Sequence, residues 1–134
     1  MSIVTIRRLL EVRLNANAGG LPIAFENVPY QPTQGTAYQR CTLLPAQSDN
    51  PTMGTAHYRQ PGIFQVSLFY PQSVGPASAS ARAEALRAIF PRGLSLEDAG
   101  VRVLVASTPS ISSGNNVEGW FTLTVSIPFT ADIG

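Results

Sequence analysis

The chain has 134 residues, of which 44% are hydrophobic, so it is long and apolar enough to form one domain around one core. Its formal net charge of +1 excludes the strong electrostatic field expected of a general nucleic-acid or anionic-membrane binder. A single cysteine excludes an intramolecular disulfide, and no apolar run is long enough to predict a membrane span.

The first predicted element is an amphipathic helix over residues 3–15, in which apolar and charged side chains separate at helical spacing. Its apolar stripe consists of Ile3, Ile6, Leu10 and Leu14. Gly19 and Gly20 follow and end the helix. Because arginines interrupt the apolar residues, the segment lacks the charge-first order of a secretory signal peptide. We therefore expect the protein to stay in the cytoplasm of the cell that makes it.

The next part of the chain predicts two strands with a long connection between them. Residues 21–37 are rich in proline and glycine and predict a loop, with a short strand at 23–25. Strands follow over 38–44 and 63–70. The intervening residues 45–61 have almost no apolar pattern, and so long a connection is uncommon in a compact domain unless it has a use. We expect an extended flap there, mobile in an isolated subunit.

A second helix is predicted over residues 76–90, with Ser78 as its N-cap and the residues 91–93 as its end. Its apolar face consists of Ala79, Ala83, Leu86 and Phe90. Arg82 and Arg87 are predicted to lie off that face. The small alanines favour close packing of this helix on a sheet.

Three more elements complete the prediction. Residues 95–98 have the capping-box spacing of a short helical turn, which we prefer to an acid pair for hydrolysis. Residues 101–107 predict a strand, and 108–114 predict a weaker edge strand. The last strand, 120–129, alternates cleanly between apolar and polar residues. Together with 63–70 it supplies the predicted core positions Phe64, Val66, Leu68, Tyr70, Phe121, Leu123, Val125, Ile127 and Phe129.

The order of the main elements is helix, strand, strand, helix, strand, strand, strand. It predicts an α+β fold in which a single antiparallel or mixed sheet of about four to five strands carries two helices on one face. The whole chain, 1–134, forms one domain in this prediction. The strand face that bears Thr122, Thr124 and Ser126 should then be turned to solvent or to a partner.

No residue pattern typical of an enzyme, a cofactor site or a metal site is found in the sequence. One histidine and one cysteine are too few for a site built from nitrogen and sulfur ligands. His57 is expected to be an exposed imidazole of the flap, or one that bonds a neighbouring subunit. Cys41, in the middle of a strand, is expected to be a buried inert thiol. Trp120 fits an interface anchor and a packed strand residue equally well.

Residues 62–93 have a distinctive order of features. A strand begins with glycine, followed by an aromatic residue, glutamine and valine, and leads into a turn with proline and glycine. An alanine-rich helix follows and ends in a phenylalanine and then a basic residue with glycine. The residues that carry this order are Gly62, Phe64, Gln65, Val66, Pro71, Gly75, Phe90, Arg92 and Gly93. In this order, and in its first helix and last strand, the chain resembles phage tail terminator-like proteins, the group that includes the minor tail protein U of lambda-type phages. Residues 21–37 and 45–61 do not contribute to the resemblance.

The resemblance implies a structural protein that forms a ring, usually of six subunits, on the end of the growing tail tube. The ring stops tube polymerisation and presents a surface to the head. The implied partners are other copies of the chain, the tail-tube protein and a head-completion or connector protein, with no membrane and no specific nucleic acid. The implied location is the host bacterial cytoplasm during assembly and then the head–tail junction of the virion, for an active phage or a prophage.

A ring closes when two different patches of each subunit meet, and arginine-carboxylate contacts are suited to the rim of such an interface. The candidate interface residues are Arg59, Tyr58, Arg87, Arg92, Glu97 and Asp98. Two alternatives remain open. One is a small α+β module that binds a protein or ligand without catalytic activity, and the other is an enzyme that uses a cryptic acid such as Glu97.

Overall fold

A computed structural model describes residues 2–26, 28, 31, 36–46, 58–71, 76–112, 114–117 and 119–133. Over these residues the chain forms two helices and eight strands. In chain order they are α1 (Ser2–Ala16), β1 (Ile23–Ala24), β2 (Tyr38–Pro45), β3 (Tyr58–Pro71), α2 (Pro76–Ile89), β4 (Ser95–Asp98), β5 (Val101–Val105), β6 (Ser110–Ile111), β7 (Asn115–Val117) and β8 (Trp120–Ile133). Neither helix is long and apolar enough to cross a membrane, among the residues that the structure describes.

All of these strands belong to one curled, mixed sheet. Its main order is β1-β2-β3-β8-β5-β4, and β6 and β7 pair with the remaining length of β8. β1 runs parallel to β2, whereas every other pair is antiparallel. The prediction of one sheet with two helices is confirmed, but the expected four to five strands are too few. Of the short strands, β1 and β6 fall within the segments 23–25 and 108–114 that were predicted as strands, whereas β4 and β7 were not predicted.

The centre of the sheet is a pair of long strands, β3 and β8, which are hydrogen-bonded along their whole length of 14 residues each. The predicted strands, 63–70 and 120–129, cover only part of them. β3 therefore already begins inside the segment predicted as a flap, and Pro45 at the other end of that segment belongs to β2. Most of the predicted flap, residues 47–57, and His57 with it, lies outside the described residues.

The first part of β3 was not predicted because it contains Pro61 and Gly62, and proline and glycine usually indicate a turn. Pro61 lies at the end of the β2–β3 ladder, where a missing N–H group costs least, and its carbonyl oxygen accepts a hydrogen bond from the Ala46 N–H at 3.0 Å. Gly62 is crowded: a Cβ atom there would lie 2.7 Å from the ring of Phe129 and 2.9 Å from the carbonyl oxygen of Leu44. Only glycine lets β3 pack this closely against the Leu44 backbone of β2 and the Phe129 ring of β8.

Both helices pack on the same face of the sheet and enclose the core. The side chains that α1 and α2 bury there are Ile6, Leu10, Leu14, Ala79, Ala83 and Leu86, joined by Phe90 just after α2. The strand residues predicted for the core pack against these helix side chains; Leu68 and Val125, for example, are completely buried. The rings of Phe64 and Phe90 are 5.9 Å apart. Burial of one such apolar side chain stabilises the fold by about 1.5–3 kcal/mol.

The start of α2 differs from the prediction. The helix begins at Pro76, so Ser78 lies inside the first turn and is not the N-cap. Proline is favoured at the first helical position because its missing N–H group would have no partner there and its backbone angle is already helical.

Residues 95–98 form a strand, β4, and the predicted helical turn is wrong. β4 pairs with β5, with Asp98 opposite Val101, so that only Ala99 and Gly100 form the turn between them. Both turn residues have positive φ angles, 51° for Ala99 and 79° for Gly100. Positive angles at both positions are the property of the two-residue turn that best fits strand twist. Pairing with β5 has therefore overridden the local capping pattern.

A buried polar network joins α2 to the end of α1 and to β2. Arg82 is only 8% exposed, so the prediction that it lies off the buried face is wrong. Its Nη2 donates hydrogen bonds to the carbonyl oxygen of Asn17 at 2.9 Å and to Oε1 of Gln39 at 3.1 Å. Gln39 in turn donates to the carbonyl oxygens of Ala18 and Leu21. Burial lowers the pKa of Arg82.

A second network covers the free edge of β2, where β1 has already ended. The carboxylate of Glu26 accepts a hydrogen bond from the backbone N–H of Leu43 at 3.2 Å. Arg7 on α1 holds the same carboxylate at 2.6 Å and also lies 3.7 Å from Glu11. A side chain of the loop thus occupies a position that a further strand would otherwise take.

Candidate functional site

The candidate site is the face of the sheet opposite the helices, which we call the open face. No helix among the described residues covers it. As predicted, Thr122, Thr124 and Ser126 of β8 lie on this face, where they are half-buried. The hydroxyl groups of Ser67 and Thr124 are 3.5 Å apart. The middle of the open face is therefore lined by small polar side chains.

Toward one end of the open face the side chains become apolar and exposed. Leu44 is 44% exposed, Ile63 37% and Leu104 41%. Leu44 lies opposite Ile63, which lies opposite Pro128, while Leu104 lies opposite Thr130 in the next row. Leu44, Ile63, Pro128 and Leu104, which we call the apolar band, lie on four adjacent strands, β2, β3, β8 and β5. Exposed apolar side chains that are neighbours in this way mark a contact surface better than scattered ones do.

A row of charged side chains borders the apolar band. Register places Glu97 of β4 opposite Arg102 of β5, Arg102 opposite Asp132 of β8, and Asp132 opposite Arg59 of β3. Nε of Arg59 lies 3.0 Å from Oδ1 of Asp132. The charge alternates in sign along the row, and opposite charges on neighbouring strands stabilise a sheet by about 0.2–1 kcal/mol per pair. We call these four residues the charged row.

The other end of the open face carries an aromatic cluster. The ring of Tyr38 stacks on Phe69 with centroids 4.6 Å apart, and meets Trp120 edge-on at 5.3 Å. Trp120 is half-buried in this cluster. Of the two alternatives left open for this residue, packing within the sheet is therefore the one that the contacts support.

The predicted interface residues lie in three different places. Arg59 and Glu97 are brought together in the charged row. Asp98 follows Glu97 on β4 but alternates to the helix side of the sheet, opposite Val101, where it forms an ion pair with Arg8 of α1. Asp98 and Arg59 thus have acid–base partners within their own chain.

The remaining candidates are not on the open face, as far as the described side chains go. Arg87 lies on α2, where it donates a hydrogen bond to the carbonyl oxygen of Pro109 at 3.0 Å and pairs with Glu84 at 3.2 Å. Arg92 is exposed in the turn after α2. The backbone of Tyr58 begins β3, but its side chain lies outside the described part of the structure.

Sequence reasoning missed Arg102 and Asp132 as members of the site. A signal for Asp132 was present, since Ala131 continues the alternation of the last strand and is completely buried. Arg102 likewise alternates with the buried Val101 and Val103. The position of both residues opposite Arg59 or Glu97 depends on strand register, which the sequence alone does not reveal.

The chemistry of the described side chains does not indicate a reactive centre. Cys41 is completely buried, and burial raises the pKa of its thiol to about 12, so it is inert as expected. Its sulfur lies 3.9 Å from the carboxylate of Glu11. A shallow cavity of about 490 Å³ lies beside Glu97, but two of its acids, Asp98 and Asp132, are already paired with arginines. No group of three metal-ligating side chains occurs within the described ranges.

A mixed sheet with helices on one face and an open face bearing apolar and ion-paired side chains defines a small α+β protein with a surface suited to contacts with other proteins. The sequence over residues 5–129 matches the model of the family described as phage tail terminator protein, and the chain belongs to this family. A solved structure for which no function is named superposes with a TM-score of 0.79 and 29% sequence identity, over 100% of this chain and 96% of the other. The comparison with curated proteins gave no match. The family is a structural one, with a role in the phage tail.

Proposed function

We propose that the protein forms a ring of six identical subunits that caps the end of the phage tail tube. The ring ends tube polymerisation and provides the surface to which the head is joined. Its partners are other copies of itself, the tail-tube protein and a head-completion or connector protein. It assembles in the cytoplasm of the bacterial host and resides in the virion at the head–tail junction.

The observation that carries this proposal is the family match, which spans residues 5–129 and so nearly the whole chain. The fold is compatible with it, because the open face offers both apolar and charged contacts and no helix of the described part of the chain lies over them. A closed ring needs two different patches on each subunit. The apolar band is one such patch; Val4 and Val12 on the outer side of α1, each 61% exposed, offer a second.

Within the ring, apolar contacts provide most of the binding energy and charges fix the register. Exposed ion pairs contribute only about 0–1 kcal/mol each. Burial of the exposed part of Leu104 and Ile63 contributes more, since each apolar Å² removed from water adds about 25 cal/mol. Arg59 and Glu97, which the sequence suggested as interface residues, border this contact.

The experiment is complementation of a phage that lacks this gene. Tail length is measured by electron microscopy with the wild-type chain, with Ile63→Glu, and with Ala81→Glu as a control on the exposed side of α2. We expect the deletion to give tails of uncontrolled length, the wild type and the control to restore a defined length, and Ile63→Glu to restore it poorly. Tails of normal length in the absence of the gene would contradict the terminator function. Full restoration by a folded Ile63→Glu variant would instead contradict only the assignment of the open face to the subunit interface.

A further inference from the structure

The charged row on the open face has a symmetry that indicates a specific partner. We propose that the free protein forms a two-fold pair, in which the open faces of two copies lie against each other. The two-fold axis runs parallel to the strands and between β8 and β5. This inference goes beyond the ring function, because a two-fold pair is complete with two copies and does not extend into a ring.

The order of charges is the first argument. From β4 to β3 the row is negative, positive, negative, positive, in the order Glu97, Arg102, Asp132, Arg59. Rotation about the two-fold axis reverses the row and places it over itself. Glu97 of each copy then faces Arg59 of the other, and Arg102 faces Asp132, so all four facing pairs have opposite charge. A shift by one strand would place like charges over each other, and the row therefore fixes the register.

The neighbouring row provides the apolar contact. In it Ser95, Leu104, Thr130 and Pro61 lie side by side on β4, β5, β8 and β3. The same rotation lays Leu104 of one copy over Thr130 of the other. Leu104 is 41% exposed in the single subunit, and in the pair its apolar surface is covered.

The expected pair is weak. A contact of four strands by two rows covers on the order of 260 Å² on each copy, given a strand spacing of about 4.8 Å and a row spacing of about 6.8 Å. The total is on the order of 500 Å², less than the roughly 1,200 Å² of stable specific complexes. The pair should therefore depend on protein concentration, and it should weaken in high salt because its register depends on exposed charges.

Such a pair has a consequence for assembly. It covers Arg59 and Glu97 together with Leu104, so a paired subunit does not offer this part of its open face to any other partner. A weak pair opens readily when a tail end presents many contacts at once. Pairing thus keeps this part of the open face covered in the free protein and releases it at the tube.

The experiment uses charge exchange in the full-length chain. Variant A carries Glu97→Arg with Arg102→Glu, and variant B carries Arg59→Asp with Asp132→Arg. Each keeps the net charge of the wild type and makes every facing pair repulsive in a pair with itself. Each also gains a like-charge contact between positions 102 and 132 of its own chain, so the two are matched in intramolecular strain. In a mixed pair of A with B, all facing charges are opposite again.

Sedimentation is measured from about 5 to about 500 μM, a range that covers weak binding. We expect the wild type to shift from one copy to two, A and B to remain single, and an equimolar mixture to form pairs. A chain with all four exchanges, whose row again alternates, should pair with itself. Melting curves identify any variant that is unfolded. A wild type that remains single or forms only larger rings, an unaffected A, or a mixture that does not pair overturns the proposal. Tail length, measured separately, decides the terminator function.

Discussion

The turn between β4 and β5 contains a residue that is poorly suited to its backbone conformation. Ala99 has a φ angle of 51°, in the left-handed region that non-glycine residues rarely adopt, and for an ordinary L-residue this conformation costs roughly 1–2 kcal/mol. Asparagine tolerates the region better because its short polar side chain bonds to the nearby backbone. We therefore expect Ala99→Asn to raise the free energy of unfolding.

The size of the effect follows from the turn geometry. Asparagine followed by glycine is the preferred pair for a turn with two positive φ angles, and Ala99→Asn creates it next to Gly100. Recovery of about half of the strain gives about 0.5–1 kcal/mol, or an increase in Tm of about 2–5 °C for a domain of this size. Ala99→Gly removes the strain as well but adds freedom to the unfolded chain, which costs about 0.4–1 kcal/mol. Its net gain should therefore be similar to that of Ala99→Asn, about 0.5–1 kcal/mol.

Thermal melting followed by circular dichroism measures the effect, with Gly100→Ala as the matched control. Gly100 has a φ angle of 79°, and no atom lies within 4 Å of the place where its Cβ would stand. The control therefore adds backbone strain without a clash and should lower the free energy of unfolding by about 1–2 kcal/mol. If Ala99→Asn leaves Tm unchanged or lowers it while Gly100→Ala destabilises, the assignment of strain to Ala99 is wrong.

Four further predictions concern the core and the networks that contact the first helix. Leu68→Asp should lower the free energy of unfolding by about 4 kcal/mol or more, because it places an unpaired charge at a completely buried position. Leu104→Asp is the exposed control, and equal melting temperatures of the two variants would contradict the core assignment. The Arg7 hydrogen bond lowers the pKa of Glu26, so Glu26→Gln should destabilise at neutral pH, and its deficit should shrink as pH falls through that lowered pKa. Burial raises the pKa of Glu11, so Glu11→Gln should stabilise at neutral pH and lose this advantage in acid; urea unfolding at several pH values tests both signs. Cys41 should not react with a thiol reagent at pH 8 until the protein unfolds, and rapid labelling of the native protein would refute its burial.

Sequence patterns predicted the parts of the fold that depend on side-chain spacing. The alternation around Val66 and Val125 identified the core face of both central strands, and helical spacing identified Leu10 as buried in α1. These signals are local, since each depends only on which way neighbouring side chains point.

The parts that sequence did not predict depend on distant partners. Arg82 was placed on the exposed side of α2 because a charge normally requires water, yet Gln39 and the carbonyl oxygen of Asn17 supply acceptors for it inside the fold. The charged row is similar, because Arg59 and Asp132 are 73 positions apart and meet only through the register of β3 and β8. Register is a tertiary property that a single sequence does not encode in an obvious way.

The carboxylate of Glu26 at the edge of β2 has a consequence for solubility. β2 has eight residues, and among the described strands only β1 pairs with its outer edge, over two residues; the rest of this edge could template pairing with another chain. The Glu26 carboxylate accepts the hydrogen bond of the Leu43 N–H, and Pro45 at the end of the strand has no N–H to donate. Protonation of Glu26 would free this donor, and because Arg7 lowers the pKa of Glu26, only acid below the ordinary carboxyl range should favour edge-to-edge aggregation through β2.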